Sequence, residues 1–169
     1  MASTSGRDDA TSEAGLPVRI IAWADDVVAA VSAERVFQHC SVFVADARRG
    51  GLVLAGQLWG SGEDTGAVLP GRWVVPFEGS VCGSVYLTGR PALLQDVQSD
   101  ANYRTYPGAQ TRSELAVVIL AGGRKIGVIN LESPRSGTFG IQDLDRLRAH
   151  ADRAGAAFAA AGLASDLDA

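Results

Sequence analysis

Residues 112–133 read RSELAVVILAGGRKIGVINLES. Two runs rich in β-branched residues, ELAVVIL (114–120) and IGVINLES (126–133), flank AGGRK, where adjacent glycines suit a turn. The pattern predicts a β-hairpin. Upstream, CSVFVADARRGGLVLAGQLWG (40–60) repeats the design, and a second hairpin is expected with strands Ser41–Ala45 and Leu52–Trp59 around ARRGG. Two hairpins call for an antiparallel sheet.

The residues between the hairpins are less regular. GSGEDTGAVLPG (60–71) is a loop by composition, and RWVVPF (72–77) is a short strand ending near Pro76. From Phe77 to Ser113 runs a stretch with one cysteine, three tyrosines, several arginines and acids, and many small residues. Ser80 suits a helix N-cap, while Gly89 with Pro91 just beyond suits a stop, so a helix is predicted over Ser80–Thr88. ALLQDV (92–97) reads as a short strand and SDANYRTY (99–106) as one helical turn at the surface.

Helices are expected at the two ends. From Val18 to Ser32, Ile20, Ile21, Trp23, Ala24, Val27, Val28 and Val31 recur at spacings of three and four and form one apolar stripe. Ile141, Leu144, Leu147, Ala151, Ala154 and Phe158 mark a second face, over Ile141 to about Leu163. The order α-β-β-β-α-β-β-β-α is that of an α+β protein. We expect a flexible tail over residues 1–16, where apolar anchors are scarce, a single domain over 17–164, and a short tail over 165–169.

Bulk properties narrow the function. The chain has 169 residues, 47% of them hydrophobic and 20% charged, with a net charge of −4. The acidic balance, without a Lys/Arg-dense block, speaks against nucleic acid and against an anionic membrane surface as partners. Cys40 and Cys82 allow at most one disulfide and have no CxxC spacing; with no apolar segment of signal-peptide or bilayer-spanning type, a cytoplasmic protein with reduced thiols is expected. His39 and His150 lack the spacing of metal ligands, and no cofactor is expected.

The order of GRPALLQDV, SELAVVI and GVINLES, with SVFVADARRGGLVLAG before and GTFGIQDLDRLRAHA after, resembles the GAF domain family from about Val18 to Phe158. The resemblance implies a twisted antiparallel sheet of five or six strands, with the N- and C-terminal helices on one face and a ligand pocket under a cap on the other, roofed by the Phe77–Ser113 segment. Short elements rich in Gly and Ser pack less completely than long ones, which makes a cavity there plausible on physical grounds too.

The ligand-binding residues expected on this basis are Phe43, Phe77, Cys82, Val85, Asp96, Tyr103, Tyr106, Arg112, Ser113, Glu114, Asn130 and Glu132. Each has a plainer alternative: Cys82 as a small buried hydrophobe, Asp96 as a turn-former, the tyrosines packed on the core rim, Arg112 paired with an acid at the surface. An inward Arg112 would favour a carboxylate or phosphate; Glu114, beside Ser113, would orient a ligand amine or meet solvent.

One branch of the family is catalytic, free methionine-R-sulfoxide reductase. Val81-Cys82-Gly83 and Ser113-Glu114 match its motifs, and its acidic pair corresponds to Asn130 and Glu132. Pro107 stands where its nucleophilic cysteine belongs and Arg72 where another cysteine does, and the chemistry needs a thiolate and a resolving thiol. The nucleotide-binding branch is matched only at Phe139 and Asp143, and a bilin-attaching cysteine only by Cys82, which Gly83 follows.

The expected function is therefore non-catalytic small-molecule sensing, acting through the cap and the terminal helices. The alternatives are a protein-interaction module without a ligand and an atypical reductase. RLRAHADRAGAAFAAAGLA, with Gly155 and Gly162, suggests a homodimer through the terminal helices; a downstream signalling protein is a further possible partner.

Overall fold

The structure, a computed structural model, describes residues 15–34, 39–60, 68–104 and 109–168. The expected N-terminal tail up to residue 14, most of the 60–71 loop, and Tyr106 lie outside those residues.

Helix α1 (Val18–Ser32) turns Ile20, Trp23, Ala24, Val27, Val28 and Val31 inward. The first hairpin is β1 (His39–Asp46) with β2 (Gly51–Trp59), and Val74–Pro76 adds β3 at its edge. The second is β5 (Ser113–Ala121) with β6 (Arg124–Ser133), and Ala92–Leu94 adds β4. Antiparallel pairing of β1 with β6 joins the halves into one six-stranded sheet, in the order β3-β2-β1-β6-β5-β4. This is the six-stranded antiparallel α+β sheet that the resemblance implies.

Because side chains alternate along a strand, every strand serves two layers. Cys40, Val42 and Val44 of β1, with Leu115, Val117 and Ile119 of β5, face α1 and the long helix α3 (Ile141–Ala160) in a buried core. Trp23 fastens the two helices there: its indole donates to the Ala154 carbonyl at 3.0 Å and its ring meets Phe158 edge-on at 5.0 Å. A fully buried Leu, Ile or Phe contributes about 1.5–3 kcal/mol, so this layer carries most of the fold. Phe43, Leu52, Leu54, Ala116 and Val128 face the other way and form a smaller core with α2 (Val81–Thr88).

Helix α2 begins where Ser80 accepts from the Gly83 N–H and ends at Gly89 in the left-handed conformation (φ 73°). The connection through α2 runs from β3 on one edge of the sheet to β4 on the other, across the face that the long helices leave open.

Several expectations need correction. The strand of 92–97 stops at Leu94, because the Asp96 carboxylate accepts from the Gln98 N–H and turns the chain into a 3-10 turn, Val97–Ser99. The last helix ends at Ala160, and Gly162 (φ 65°) reverses the chain into α4 (Ala164–Asp168). The residues read as a tail from 165 are thus tied down: Asp166 meets Arg19 at 2.9 Å, Asp168 meets Arg124 at 2.6 Å, and Leu167 packs on the helix-side core. Both glycines read as a sign of a dimer have a role within the chain itself. Gly155 is buried because a Cβ there would collide with the Leu120 carbonyl of β5, and Gly162 serves the chain reversal. Both cysteines are free and buried, Cys40 in the helix-side core and Cys82 in the cap-side one. No helix among the described residues is long and apolar enough to cross a membrane.

Candidate functional site

The register places five polar side chains on one patch of the cap-side face. Ser41 of β1 pairs with Asn130 of β6, His39 with Glu132, and Glu132 with Glu114 of β5. Phe43 closes one side of the patch. Above it, the N-cap Ser80 aims α2 so that Cys82 points at the sheet, while Trp73 and Arg104 complete the wall. The cavity measures about 20 Å³, room for about one water. The metabolite-sized chamber expected from the sequence is thus nearly filled in this conformation.

Two carboxyl groups lie at its floor, both 3% exposed. Glu132 is fully engaged: Oε2 meets His39 Nδ1 at 3.1 Å, and Oε1 accepts from the Tyr103 hydroxyl at 3.3 Å. His39 is itself held, with Nε2 at 2.9 Å from Gln57 Oε1 and its ring stacked on Trp59 at 4.1 Å. Gln57 donates to the Val68 carbonyl at 2.7 Å, which orients its amide so that Oε1 accepts from His39. A polar chain therefore runs from Val68 through Gln57, His39 and Glu132 to Tyr103.

Glu114 has no such support. Its Oε1 receives the Cys82 thiol at 3.6 Å, a weak donor, and its Oε2 has no partner. Burial first, and Glu132 opposite second, push its carboxyl well above the usual carboxylate range. Burial followed by the two carboxylates likewise pushes the Cys82 thiol up. Burial and Glu132 push up the Tyr103 phenol as well. Ser41 Oγ and Asn130 Oδ1, on the same face, also lack a partner. Buried polar atoms are nearly always satisfied, so three orphans around one cavity call for an explanation.

Among the residues expected to bind a ligand, Phe43, Cys82, Glu114, Asn130 and Glu132 line this cavity, and Tyr103 bonds to it through Glu132. The other described ones lie elsewhere. Val85 is buried in the cap-side core. Phe77 turns away to stack on Tyr86 at 5.1 Å. Asp96 and Arg112 pair with each other at 2.7 Å near the surface, so neither faces the cavity. Ser113 sits one residue out of phase with Glu114 and donates to the Arg135 carbonyl. Sequence reasoning missed His39, Ser41 and Trp73. The first two stand four and two residues before Phe43, and the alternation of a strand would have put them on its face.

Among the described residues, no group of three or more His, Cys, Asp or Glu side chains is placed to hold a metal ion. The family model described as the GAF domain matches residues 23–159. No curated protein matches the chain significantly. Among solved structures, it is similar to free methionine-R-sulfoxide reductase from Neisseria meningitidis in complex with its substrate, with a TM-score of 0.72, 23% identity, and coverage of 86% of this chain and 81% of that one. The GAF domain of an Acinetobacter phosphoenolpyruvate-protein phosphotransferase follows with TM-score 0.71, 16% identity and coverage of 86% and 85%. A methyl-accepting chemotaxis protein gives 0.69, 18% identity and coverage of 85% and 91%. At these identities the likeness is one of fold.

Proposed function

This chain belongs to the GAF domain family, and from that membership we propose that it is a non-catalytic regulatory domain sensing a small molecule between its sheet and its cap. The observation that carries the reading is the cluster of orphaned oxygens, Ser41 Oγ, Glu114 Oε2 and Asn130 Oδ1, around a cavity built by both hairpins. An N–H-bearing ligand would satisfy all three. On this reading the conformation, with room for about one water, is a closed state, and a metabolite enters by displacing the cap. Binding then shifts the population between closed and open forms, by no more than the ligand's differential affinity for them.

A thermal-shift screen of amines, amino acids, nucleotides and oxidised metabolites tests this. A ligand present at about 100 times its Kd contributes about 2.7 kcal/mol, raising the melting temperature by roughly 5–10 °C for a domain of this size. A screen in which nothing raises it overturns sensing and leaves the interaction module.

The second reading, sulfoxide reduction, is favoured by the position of Cys82 against Glu114 and by the fold it shares with the reductase. Against it stands the environment: burial beside two carboxylates opposes the thiolate that a nucleophile needs. NADPH oxidation in the presence of free methionine sulfoxide and a thioredoxin system, abolished in Cys82→Ser, would establish catalysis.

A further inference from the structure

The proposed sensing site contains an asymmetry that bears on what it senses. Of its two carboxyl groups, one has partners on both oxygens and the other has almost none. Around Glu114, α2 presents Cys82, β6 presents Glu132 with His39 of β1 behind it, and β4 presents apolar Leu94. From the segment after the 3-10 turn come Tyr103, whose hydroxyl goes to Glu132, and Arg104, whose guanidinium bonds the Ala101 and Tyr103 carbonyls; Asp100 adds a further negative charge. Among the described residues, no cation is paired with Glu114. A carboxylate excluded from water without a counter-charge keeps its proton instead. The closed site therefore holds Glu114 as the neutral acid, with acceptor oxygens of Ser41 and Asn130 beside it.

We infer, on the basis of the sensing reading above, that the site takes a primary ammonium ion in exchange for the proton on Glu114. In the exchange the Glu114 O–H bond breaks and its proton leaves to solvent. The carboxylate so formed accepts an N–H of the entering cation, with Asn130 Oδ1 and Ser41 Oγ accepting the other two. No electrons move, and the charge of the site is unchanged. Three orphaned oxygens match the three N–H bonds of R–NH3+, which a quaternary ammonium lacks. A consequence is that occupancy responds to pH. Below the titration of Glu114 in the free protein, the apparent affinity for an amine rises about tenfold for each unit of pH.

The test uses the whole protein labelled with 13C at the glutamate side-chain carboxyl, with the Glu114 resonance assigned by its loss in Glu114→Gln. Methylammonium and tetramethylammonium chloride are the probes. Expected at neutral pH are a Glu114 resonance of the protonated acid, its conversion to the carboxylate form by methylammonium, and no change with tetramethylammonium. Because the amide of Glu114→Gln stands in for the neutral acid, that variant is expected to keep its fold and to lose the response of its neighbours to methylammonium. A Glu114 already ionised without amine overturns the exchange, as does one that methylammonium leaves protonated or that tetramethylammonium moves equally. Each of those outcomes leaves sensing intact if the thermal-shift screen has found another ligand, so the two readings fail separately.

Discussion

Glu114 and Cys82 show how burial sets chemistry at the scale of single residues. The folded protein holds the Glu114 proton more tightly than the unfolded chain does, where a glutamate titrates near about 4.3. Below that pH both states are protonated and stability is full. Above it the unfolded chain gains by ionising, so stability falls by up to about 1.4 kcal/mol per pH unit until Glu114 itself ionises. Glu114→Gln should remove this slope, giving a variant more stable than the parent at neutral pH in urea titrations run across the pH range. Cys82 should resist iodoacetamide in the native protein at neutral pH and react at the unfolding midpoint, because its thiol is both buried and held protonated. At this scale the sequence was only partly legible. Asn130 and Glu132 could be named from the resemblance, as the positions of the reductase's acidic pair, whereas strand alternation around Phe43, which separates pocket from core positions, would have added His39 and Ser41. The partner of Arg112 depends on how a three-residue turn after Asp96 orients a carboxylate, and no periodicity encodes that.

At the level of elements, the hairpins and the α2 caps were readable because their signals are local: β-branched runs, glycines in turns, a serine followed by a glycine stop. Contacts at long range were not. Gly155 reads as a small residue on an alanine-rich helix, yet its meaning lies in the Leu120 carbonyl, 35 positions earlier in the chain. Gly155→Ala should force α3 off β5 and cost about 1–3 kcal/mol, as overpacking does, measured by chemical denaturation. The same substitution should leave the oligomeric state in light scattering unchanged, since the position faces the protein's own sheet. Ser80→Ala removes the acceptor for the Gly83 N–H and should cost about 1 kcal/mol. It should also loosen Cys82, visible as faster thiol modification without global unfolding.

For the whole molecule, the sheet separates a thick layer under α1 and α3 from a thin one under α2. Local opening follows contact density, so amides of α2 and Val97–Ser99 should exchange with deuterium faster than those of β1, β5 and β6, and slow down when a ligand binds. The crossing of α2 from one edge of the sheet to the other has a further result. Each hairpin, its edge strand and its long helix come from one contiguous half of the chain, and the halves meet along the pairing of β1 with β6. Cleaved at the exposed Gly89–Arg90 junction, the two fragments would still own complementary surfaces, with α2 as a latch reaching from the first onto the second. Such a pair could serve as a split reporter whose reassembly is driven by whatever molecule fills the space between them.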